Sequence, residues 1–182
     1  MIEMIDLHAH ILPRLDDGAE SLEESIEMCR ISYRDGVRTI VATPHILPGV
    51  YKNNRSTILA KTQELNEAIR KFGVGSSEYG MKNLDSDVSC SSNSELPAFA
   101  ETLRAGRRTH HSELPFVVLP GADVHFSANL LQLCENGEIL TVNDDGCYLM
   151  VEFDFMSLPY QGEEVLFQLI SRGITPVITH PE

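Results

Sequence analysis

The residues best suited to chemistry are histidines and carboxylates at the ends of short apolar segments. The first segment carries His8 and His10, and the acidic residues Asp16 and Asp17 follow it. Because side chains alternate along a strand, two histidines two positions apart face the same side and can bind one cation. Asp17 can supply an oxygen ligand to a neighbouring ion, and this mixture of imidazole and carboxylate suits Zn, Mn or Fe better than Ca.

Four further polar residues lie where later apolar segments end. They are His45, Asp123, Glu152 and His180. In parallel α/β sheets and barrels the carboxyl ends of the strands meet at one edge, where active sites are assembled. We therefore expect these side chains to join the first two histidines at one rim. The carboxylate of Asp123 or Glu152 has two oxygens and can bridge two ions there.

Each of these residues also has a structural explanation when it is taken alone. A His-x-His pair in a strand is commonly structural, and Asp16-Asp17-Gly18 is compatible with a simple polar turn. Ordinary hydrogen bonds would satisfy His45 or Glu152 individually. Their joint position at the strand ends nevertheless favours a metal site. Asp154 shares the strand face of Glu152 and is a weaker ligand candidate.

Alternating strands and helices must position these side chains. Apolar spacing predicts strands at residues 4–8, 37–43, 116–119, 147–153 and 175–179. It predicts one helix after Ser21, with Glu24 completing a capping box, and further helices at 58–72, 130–135 and 163–172. Strands that alternate with helices in this way indicate a parallel α/β arrangement with right-handed crossovers.

The length of 182 residues predicts a single domain over residues 1–182. Residues 74–115 interrupt it with a stretch that is rich in Ser and polar residues and has no apolar period, and we expect a flexible insertion there. The formal net charge of −13 argues against a nucleic-acid partner, because such partners are bound through clustered Lys and Arg.

Several other classes of protein are excluded by missing motifs. No stretch approaches the roughly 18 to 20 apolar residues that span a bilayer, and the N-terminus lacks a signal-peptide pattern, so we expect a cytoplasmic protein without membrane insertion. The four cysteines show no Cys-x-x-Cys spacing, and none is followed six residues later by the arginine of a thiolate phosphatase loop. A Gly-x-Ser-x-Gly elbow and a phosphate-binding Walker loop are also missing.

Five stretches, taken in order, resemble a known family. They are DLHAHILPRLDDG, GVRTIVATPH, LPGADVHF, LMVEF and GITPVITHPE. Together they resemble the successive metal motifs of the PHP (polymerase and histidinol phosphatase) superfamily. Within that superfamily the chain is most similar to the CpsB/YwqE type of bacterial protein-tyrosine phosphatase, which is encoded with capsule and exopolysaccharide genes. The resemblance covers about residues 4–72 and 116–182.

The resemblance implies a distorted (β/α)7, TIM-like PHP barrel that holds a trinuclear metal centre. The metal is usually manganese and sometimes iron or zinc. The implied ligands are His8 and His10 for the first ion, Asp123 as the bridge to a second ion, Glu152 and His180 for that second ion, and Asp17 and His45 for the third. The family usually has glutamate at the position of Asp123.

The activity implied by the resemblance is metal-dependent hydrolysis of phosphotyrosine in proteins. The implied protein partner is a tyrosine autokinase of polysaccharide export. One alternative is a phosphoesterase that acts on a small metabolite such as histidinol phosphate. Another is an inactive truncated fragment with a barrel that is incomplete at the C-terminus, because the family continues past HPE with an arginine and an Asp-x-His strand, whereas this chain stops at Glu182.

Overall fold

The computed structural model of this protein describes residues 4–74, 116–154, 159 and 162–181. Nearly all of the predicted Ser-rich insertion therefore lies outside the described residues. Val74, at the expected start of that insertion, is buried with a relative exposure of 1% and belongs to the hydrophobic core. Val74 therefore belongs to the hydrophobic core and not to the insertion, in which the predicted boundary placed it.

Short strands and helices follow one another along the described part of the chain. The strands are β1 (Met4–Ala9), β2 (Val37–Ala42), β3 (His45–Ile46), β4 (Val117–Pro120), β5 (Asp123–His125), β6 (Tyr148–Glu152) and β7 (Thr175–Thr179). The helices are α1 (Leu22–Arg34), α2 (Arg55–Lys71), α3 (Leu130–Glu135) and α4 (Gly162–Ser171), with a 3-10 helix at Val142–Asp144. Within these ranges, no helix has both the length and the apolar character needed to cross a bilayer.

The strands form two sheets, and every strand pair is parallel. One sheet is three-stranded in the order β1-β2-β4, and the other is four-stranded in the order β3-β5-β6-β7. The predicted parallel α/β arrangement is therefore confirmed. The closed barrel that the resemblance implies is not seen among the strands described.

The chain passes from the first sheet to the second through two breaks that lie side by side. Thr43 and Pro44 separate β2 from β3, and Gly121 and Ala122 separate β4 from β5. The breaks are adjacent because β2 pairs with β4 and β3 pairs with β5. A Cβ atom on Gly121 would lie 2.8 Å from Val41 Cγ1, so the close approach of the two strands at the second break requires glycine.

These breaks correct two expectations about strand ends. The sequence predicts that His45 ends the second strand and that Asp123 follows the third, whereas each is the first residue of a new short strand. Pro44 has no N–H and cannot continue the ladder, but its carbonyl accepts a hydrogen bond from the N–H of Asp123 at 3.1 Å. His45 and Asp123 thereby become direct register partners on neighbouring strands.

Side-chain caps determine where the first two helices begin. The Ser21 hydroxyl accepts a hydrogen bond from the N–H of Glu24 at 3.2 Å, as predicted. The Glu24 carboxylate accepts from the N–H of Glu20 at 2.7 Å, one residue ahead of the cap, so the reciprocal half of the capping box is shifted. Helix α2 begins at Arg55, ahead of its predicted start, because the Asn54 side chain caps it there.

An apolar core joins the sheets to the helices that cover them. Phe116, Ile40 and Leu65 are among its largest fully buried side chains. On α2, the Asn66 amide donates to the carbonyl of Val118 at 2.7 Å and accepts from its N–H at 3.1 Å. This side chain satisfies the N–H and carbonyl of Val118 at the outer edge of β4. The two hydrogen bonds fix helix α2 against the first sheet and so hold the strand ends in place.

Candidate metal centre

The strand ends bring all the predicted ligand residues to one rim. They come from β1 and the residue after it, the following loop, the first residues of β3 and β5, the last residue of β6 and the residue after β7. These residues are His8, His10, Asp17, His45, Asp123, Glu152 and His180. Their potential ligand atoms form three overlapping groups, and within each group the atoms lie within 4.8 Å of one another.

The first group, called here the histidine group, consists of His8, His10, His180 and Asp123. The Nε2 atom of His8 lies 3.3 Å from Nε2 of His10 and 3.2 Å from Nε2 of His180. Metal–nitrogen bonds of about 2.0–2.1 Å with bond angles of roughly 90–110° would place two ligand nitrogens about 2.8–3.4 Å apart. The ring nitrogens of the histidine group are thus spaced as ligands of a single ion would be.

Neighbouring side chains orient two of these rings from behind. The Nδ1 atom of His8 lies 3.1 Å from the hydroxyl of Thr43, and the Nδ1 atom of His10 lies 2.7 Å from Asp16 Oδ2. Histidines that bind metals usually make such a hydrogen bond with the ring nitrogen that does not bind the ion. Both rings therefore present Nε2 to the centre of the group.

The second group, called here the carboxylate group, consists of His45, Asp123 and Glu152. His45 Nδ1 lies 3.1 Å from Glu152 Oε2 and 3.5 Å from Asp123 Oδ2. Asp123 is fully buried, and its Oδ1 atom accepts a hydrogen bond from Thr179 at 2.7 Å. Its Oδ2 atom and His45 Nδ1 are buried without a hydrogen-bond partner. Buried polar atoms are rarely left in this state, and a cation between them would satisfy both.

The third group, called here the loop group, consists of His10, Asp17 and His45. Asp17 Oδ1 lies 3.8 Å from His10 Nδ1 and 3.8 Å from His45 Nε2. The Asp17 side chain is 70% exposed, so this group lies on the solvent side of the rim. It is more open than the other two groups.

The grouping differs in two respects from the ligand sets that the resemblance implies. His180 lies beside His8, whereas the resemblance places it with Glu152. His45 lies beside Glu152 as well as near Asp17. The buried Oδ2 atom of Asp123 faces the histidine group too, at 3.9 Å from His8 Nε2 and 3.6 Å from His180 Nε2. This oxygen is the atom that joins the histidine group to the carboxylate group.

The two neighbouring histidines of β1 have opposite pKa shifts. Burial lowers the pKa of His8, and the other histidines lower it further although Asp123 opposes them. The hydrogen bond to Asp16 raises the pKa of His10 by more than burial lowers it. Burial by itself raises the pKa of Asp16, but hydrogen bonds from His10 and from the N–H of Gly18 outweigh it, so this pKa is lowered. Asp16 is therefore an ionised acceptor behind the His10 ring.

Proteins of capsule synthesis match this chain in sequence. The family described as capsular polysaccharide synthesis, CpsB/CapC, matches residues 4–81. The chain is 32% identical over 179 residues to the tyrosine-protein phosphatase YwqE of Bacillus subtilis, covering 98% of this chain and 54% of that protein. It is 29% identical over 179 residues to the tyrosine-protein phosphatase CpsB of Streptococcus pneumoniae, covering 98% of this chain and 57% of that protein.

The fold matches as well. The solved structure of YwqE and CpsB, described as unique metal-dependent tyrosine phosphatases, aligns with a TM-score of 0.72 at 31% identity, covering 98% of this chain and 56% of that chain. The chain is therefore similar in sequence and fold to members of the CpsB/CapC family. It spans about half the length of the curated relatives that it matches.

Sequence reasoning missed the residues that orient the candidate ligands in this chain. Asp16 was compatible with a turn, yet its side chain is 1% exposed and bonds to His10. Thr43 and Thr179 were predicted only as strand residues, yet they contact His8 and Asp123. Asp16 stood next to a predicted ligand in the sequence, but no spacing rule distinguishes a ligand from the residue that supports it.

His125 was also missed and lies beside the carboxylate group. Its Nδ1 atom is 4.0 Å from Glu152 Oε2, and its Nε2 atom is 3.4 Å from Asp154 Oδ1. The weaker ligand candidate Asp154 therefore faces His125, and it belongs to none of the three groups. The position of His125, two residues after Asp123 on one strand face, is a signal that could have found it.

His180 and Tyr51 complete the rim. His180 adopts a backbone φ of 48°, in the left-handed region that a non-glycine residue occupies only when its surroundings hold it there. This conformation ends β7 and brings the His180 ring to the histidine group. Tyr51 stacks on His45 with ring centroids 5.6 Å apart and an interplanar angle of 10°. The stacked ring covers one face of His45.

Proposed function

We propose that this chain carries a metal centre for the hydrolysis of phosphotyrosine in proteins, in capsule or exopolysaccharide synthesis. The observation that carries the proposal is the buried Asp123 Oδ2 atom, which lacks a hydrogen-bond partner and faces His8, His45 and His180 at 3.5–3.9 Å. A cation would stabilise a buried carboxylate oxygen that faces imidazole nitrogens and has no hydrogen-bond donor. The relatives YwqE and CpsB are named as tyrosine-protein phosphatases, which supports the choice of reaction.

The proposed ligands are the residues of the three groups, with His10 and His45 each binding one ion through one ring nitrogen. The number of three ions rests on the resemblance. The nitrogen and oxygen donors of these residues suit manganese, which we favour, and also iron or zinc. When bound, such cations lower the pKa of water and neutralise the charge of phosphoryl oxygens during hydrolysis. The residues of this chain contribute by fixing the ligand atoms: Thr43 and Asp16 orient the rings of β1, and Thr179 orients Asp123.

A cysteine nucleophile is not offered by the described cysteines. Cys29 is fully buried, and burial raises the pKa of its thiol to about 12. Burial also raises the pKa values of Cys134 and Cys147. Reactive cysteines have lowered pKa values, so these thiols favour the metal-dependent reaction over the thiolate-dependent one.

Three finer features belong to the same proposal and rest on the resemblance. The strands would form part of a distorted (β/α)7 PHP barrel. The phosphotyrosine would lie on a tyrosine autokinase of polysaccharide export. The reaction would take place in the cytoplasm, which fits the scattered free cysteines.

A comparison of two substrates tests the reaction. The chain, supplied with Mn²⁺, should hydrolyse a phosphotyrosine peptide faster than histidinol phosphate, and a chelator should abolish both activities. A preference for histidinol phosphate would replace the protein substrate by the small-metabolite alternative. Metal content should be measured on the same sample. Fewer than two bound ions per chain together with no hydrolysis would show that this chain is inactive, and the proposal would be wrong for it.

The control variant for these assays is Asp145→Asn. Asp145 Oδ1 accepts a hydrogen bond from the N–H of Cys147 at 2.9 Å, and the residue belongs to none of the three groups. An amide oxygen can accept the same hydrogen bond. This variant should therefore keep both metal content and activity, while His8→Ala should lower both.

A further inference from the structure

Asp16 occupies an unusual position between two of the groups. Its side chain is 1% exposed, although it lies in a loop and directly precedes the exposed Asp17. The loop folds back on β1, because the N–H of Ala19 donates to the carbonyl of His10 at 3.2 Å. A Cβ atom on Gly18 would lie 2.0 Å from that carbonyl oxygen, so only glycine permits this approach. The fold-back places the Asp16 carboxylate behind the His10 ring.

Both oxygens of Asp16 act as acceptors. Oδ2 lies 2.7 Å from His10 Nδ1 and accepts a hydrogen bond from the N–H of His45 at 3.0 Å. Oδ1 accepts from the N–H of Gly18 at 3.1 Å. Because a carboxylate only accepts, the hydrogen in the first contact must be on His10 Nδ1. Asp16 is thus bonded to one strand-end histidine through its ring and to another through its backbone.

Asp16 differs in this respect from the residue behind the neighbouring ring. His8 Nδ1 faces the hydroxyl of Thr43, which can donate or accept and therefore permits either tautomer. A carboxylate permits only the tautomer with hydrogen on Nδ1. The tautomer of His10 is consequently determined by its partner, while that of His8 is not.

We propose that Asp16 is a positioning residue that keeps the hydrogen of neutral His10 on Nδ1, leaves Nε2 free to bind a cation, and fixes His45 relative to His10. This role rests on the metal centre proposed above. An amide at position 16 replaces one of the two acceptor oxygens by an NH₂ group, which only donates, so it cannot satisfy N–H groups on both sides as the carboxylate does. If the amide nitrogen faced His10, the ring hydrogen would move to Nε2 and block the metal-binding atom. If it faced Gly18, the loop would lose its anchor.

The tautomer can be measured directly in the unmodified protein. Long-range ¹H–¹⁵N correlation spectra of the metal-free chain distinguish hydrogen on Nδ1 from hydrogen on Nε2. They are recorded at a pH high enough for the His10 ring to be neutral, because Asp16 raises the pKa of this ring above its ordinary value of 6.5. We expect His10 to carry the hydrogen on Nδ1. Hydrogen on Nε2 of His10 would overturn the proposal. This measurement needs no variant and does not depend on turnover.

Metal binding provides the second test. Calorimetric titration with Mn²⁺ alone should show that Asp16→Asn weakens binding by about 10- to 100-fold, as the loss of a group behind a ligand usually does. The control Asp145→Asn should bind as the unmodified chain does. Equal affinity in all three proteins would overturn the proposal. If Asp16→Asn fails to fold, the tautomer measurement decides.

These tests separate the role of Asp16 from the proposed function. A chain that does not hydrolyse phosphotyrosine but shows the expected tautomer and loss of affinity would overturn the function and support the role of Asp16. A chain that hydrolyses phosphotyrosine but carries the His10 hydrogen on Nε2 would support the function and overturn the role of Asp16.

Discussion

His45 Nδ1 lies 3.5 Å from Asp123 Oδ2, and each atom is buried without a hydrogen-bond partner. The two residues are register partners at the start of β3 and β5. Their adjacency follows from the paired strand breaks, which begin both short strands at the same level. Buried polar atoms rarely lack a partner, and a cation shared by this carboxylate oxygen and this ring nitrogen would satisfy both.

The first prediction concerns the carboxylate of Asp123. Asp123→Asn should keep the hydrogen bond from Thr179, because an amide oxygen can accept it. The variant should lose the rise in melting temperature that Mn²⁺ or Zn²⁺ produces in the unmodified chain. A ligand at 100 times its Kd stabilises a folded protein by about 2.7 kcal/mol, which thermal unfolding detects easily. A metal-dependent rise of normal size in the variant would contradict the assignment of Asp123 as a ligand.

The second prediction concerns the loop that folds back on β1. Gly18→Ala should lower the free energy of unfolding by about 1–3 kcal/mol or more, because the Cβ of the alanine would overlap the carbonyl of His10. The variant should also bind metal more weakly, since the loop carries Asp16 and Asp17. Urea unfolding and calorimetric titration measure the two effects.

A second glycine variant serves as the control for this loop. Gly137 has a φ of 69° and no atoms within 4 Å of an added Cβ. Gly137→Asn should cost less than Gly18→Ala, because asparagine tolerates the left-handed conformation. It should leave metal binding unchanged. Similar losses of stability and of metal affinity in the two variants would show that the close approach of Gly18 to the His10 carbonyl does not position the loop.

The third prediction is a pH dependence of stability in the metal-free chain. Asp16 has a lowered pKa in the folded protein, so its contribution is present above its ordinary pKa of 3.8 and is lost as pH falls through the lowered value. His10 has a raised pKa, so its contribution is present below its ordinary pKa of 6.5 and is lost as pH rises through the raised value. The pair should therefore stabilise the fold most between about pH 4 and 6.5.

Urea unfolding across this range measures the effect of the pair. The difference in unfolding free energy between the unmodified chain and Asp16→Asn should be largest inside the window and should shrink on both sides. The curve for Asp145→Asn should run parallel to that of the unmodified chain. If the difference in unfolding free energy between the two proteins grew above pH 8, the ion pair of Asp16 and His10 would not be the source of that difference.

The fourth prediction concerns the buried thiol of Cys29. At pH 8 a thiol with a pKa of about 12 is ionised in about one molecule in ten thousand, and this side chain is fully buried. A short pulse of iodoacetamide should leave Cys29 unmodified in the folded chain and should label it in urea. Cys134 and Cys147 are partly exposed and should react first. Mass spectrometry of peptides distinguishes them, and fast labelling of Cys29 without urea would contradict its burial.

Much of the site was predictable because strand alternation and strand ends are local properties. The spacing of His8 and His10 determined that both rings face one side, and Glu152 ends its strand as expected. The contact between His8 and His180 joins residues 172 positions apart. No local pattern indicates that these two rings, and not His180 and Glu152, lie side by side, because their distance depends on how separate strands are aligned.

The sequence by itself determined the parallel α/β class, the first helix cap and the set of polar residues at the strand ends, because each follows from the spacing of neighbouring residues. Only the tertiary structure decided that β2 and β4 break side by side, that His45 faces Asp123, and that Asp16 is a buried support and not an exposed turn residue. Burial and hydrogen bonding depend on elements that meet from distant parts of the chain, and such meetings are set by packing and not by local periodicity.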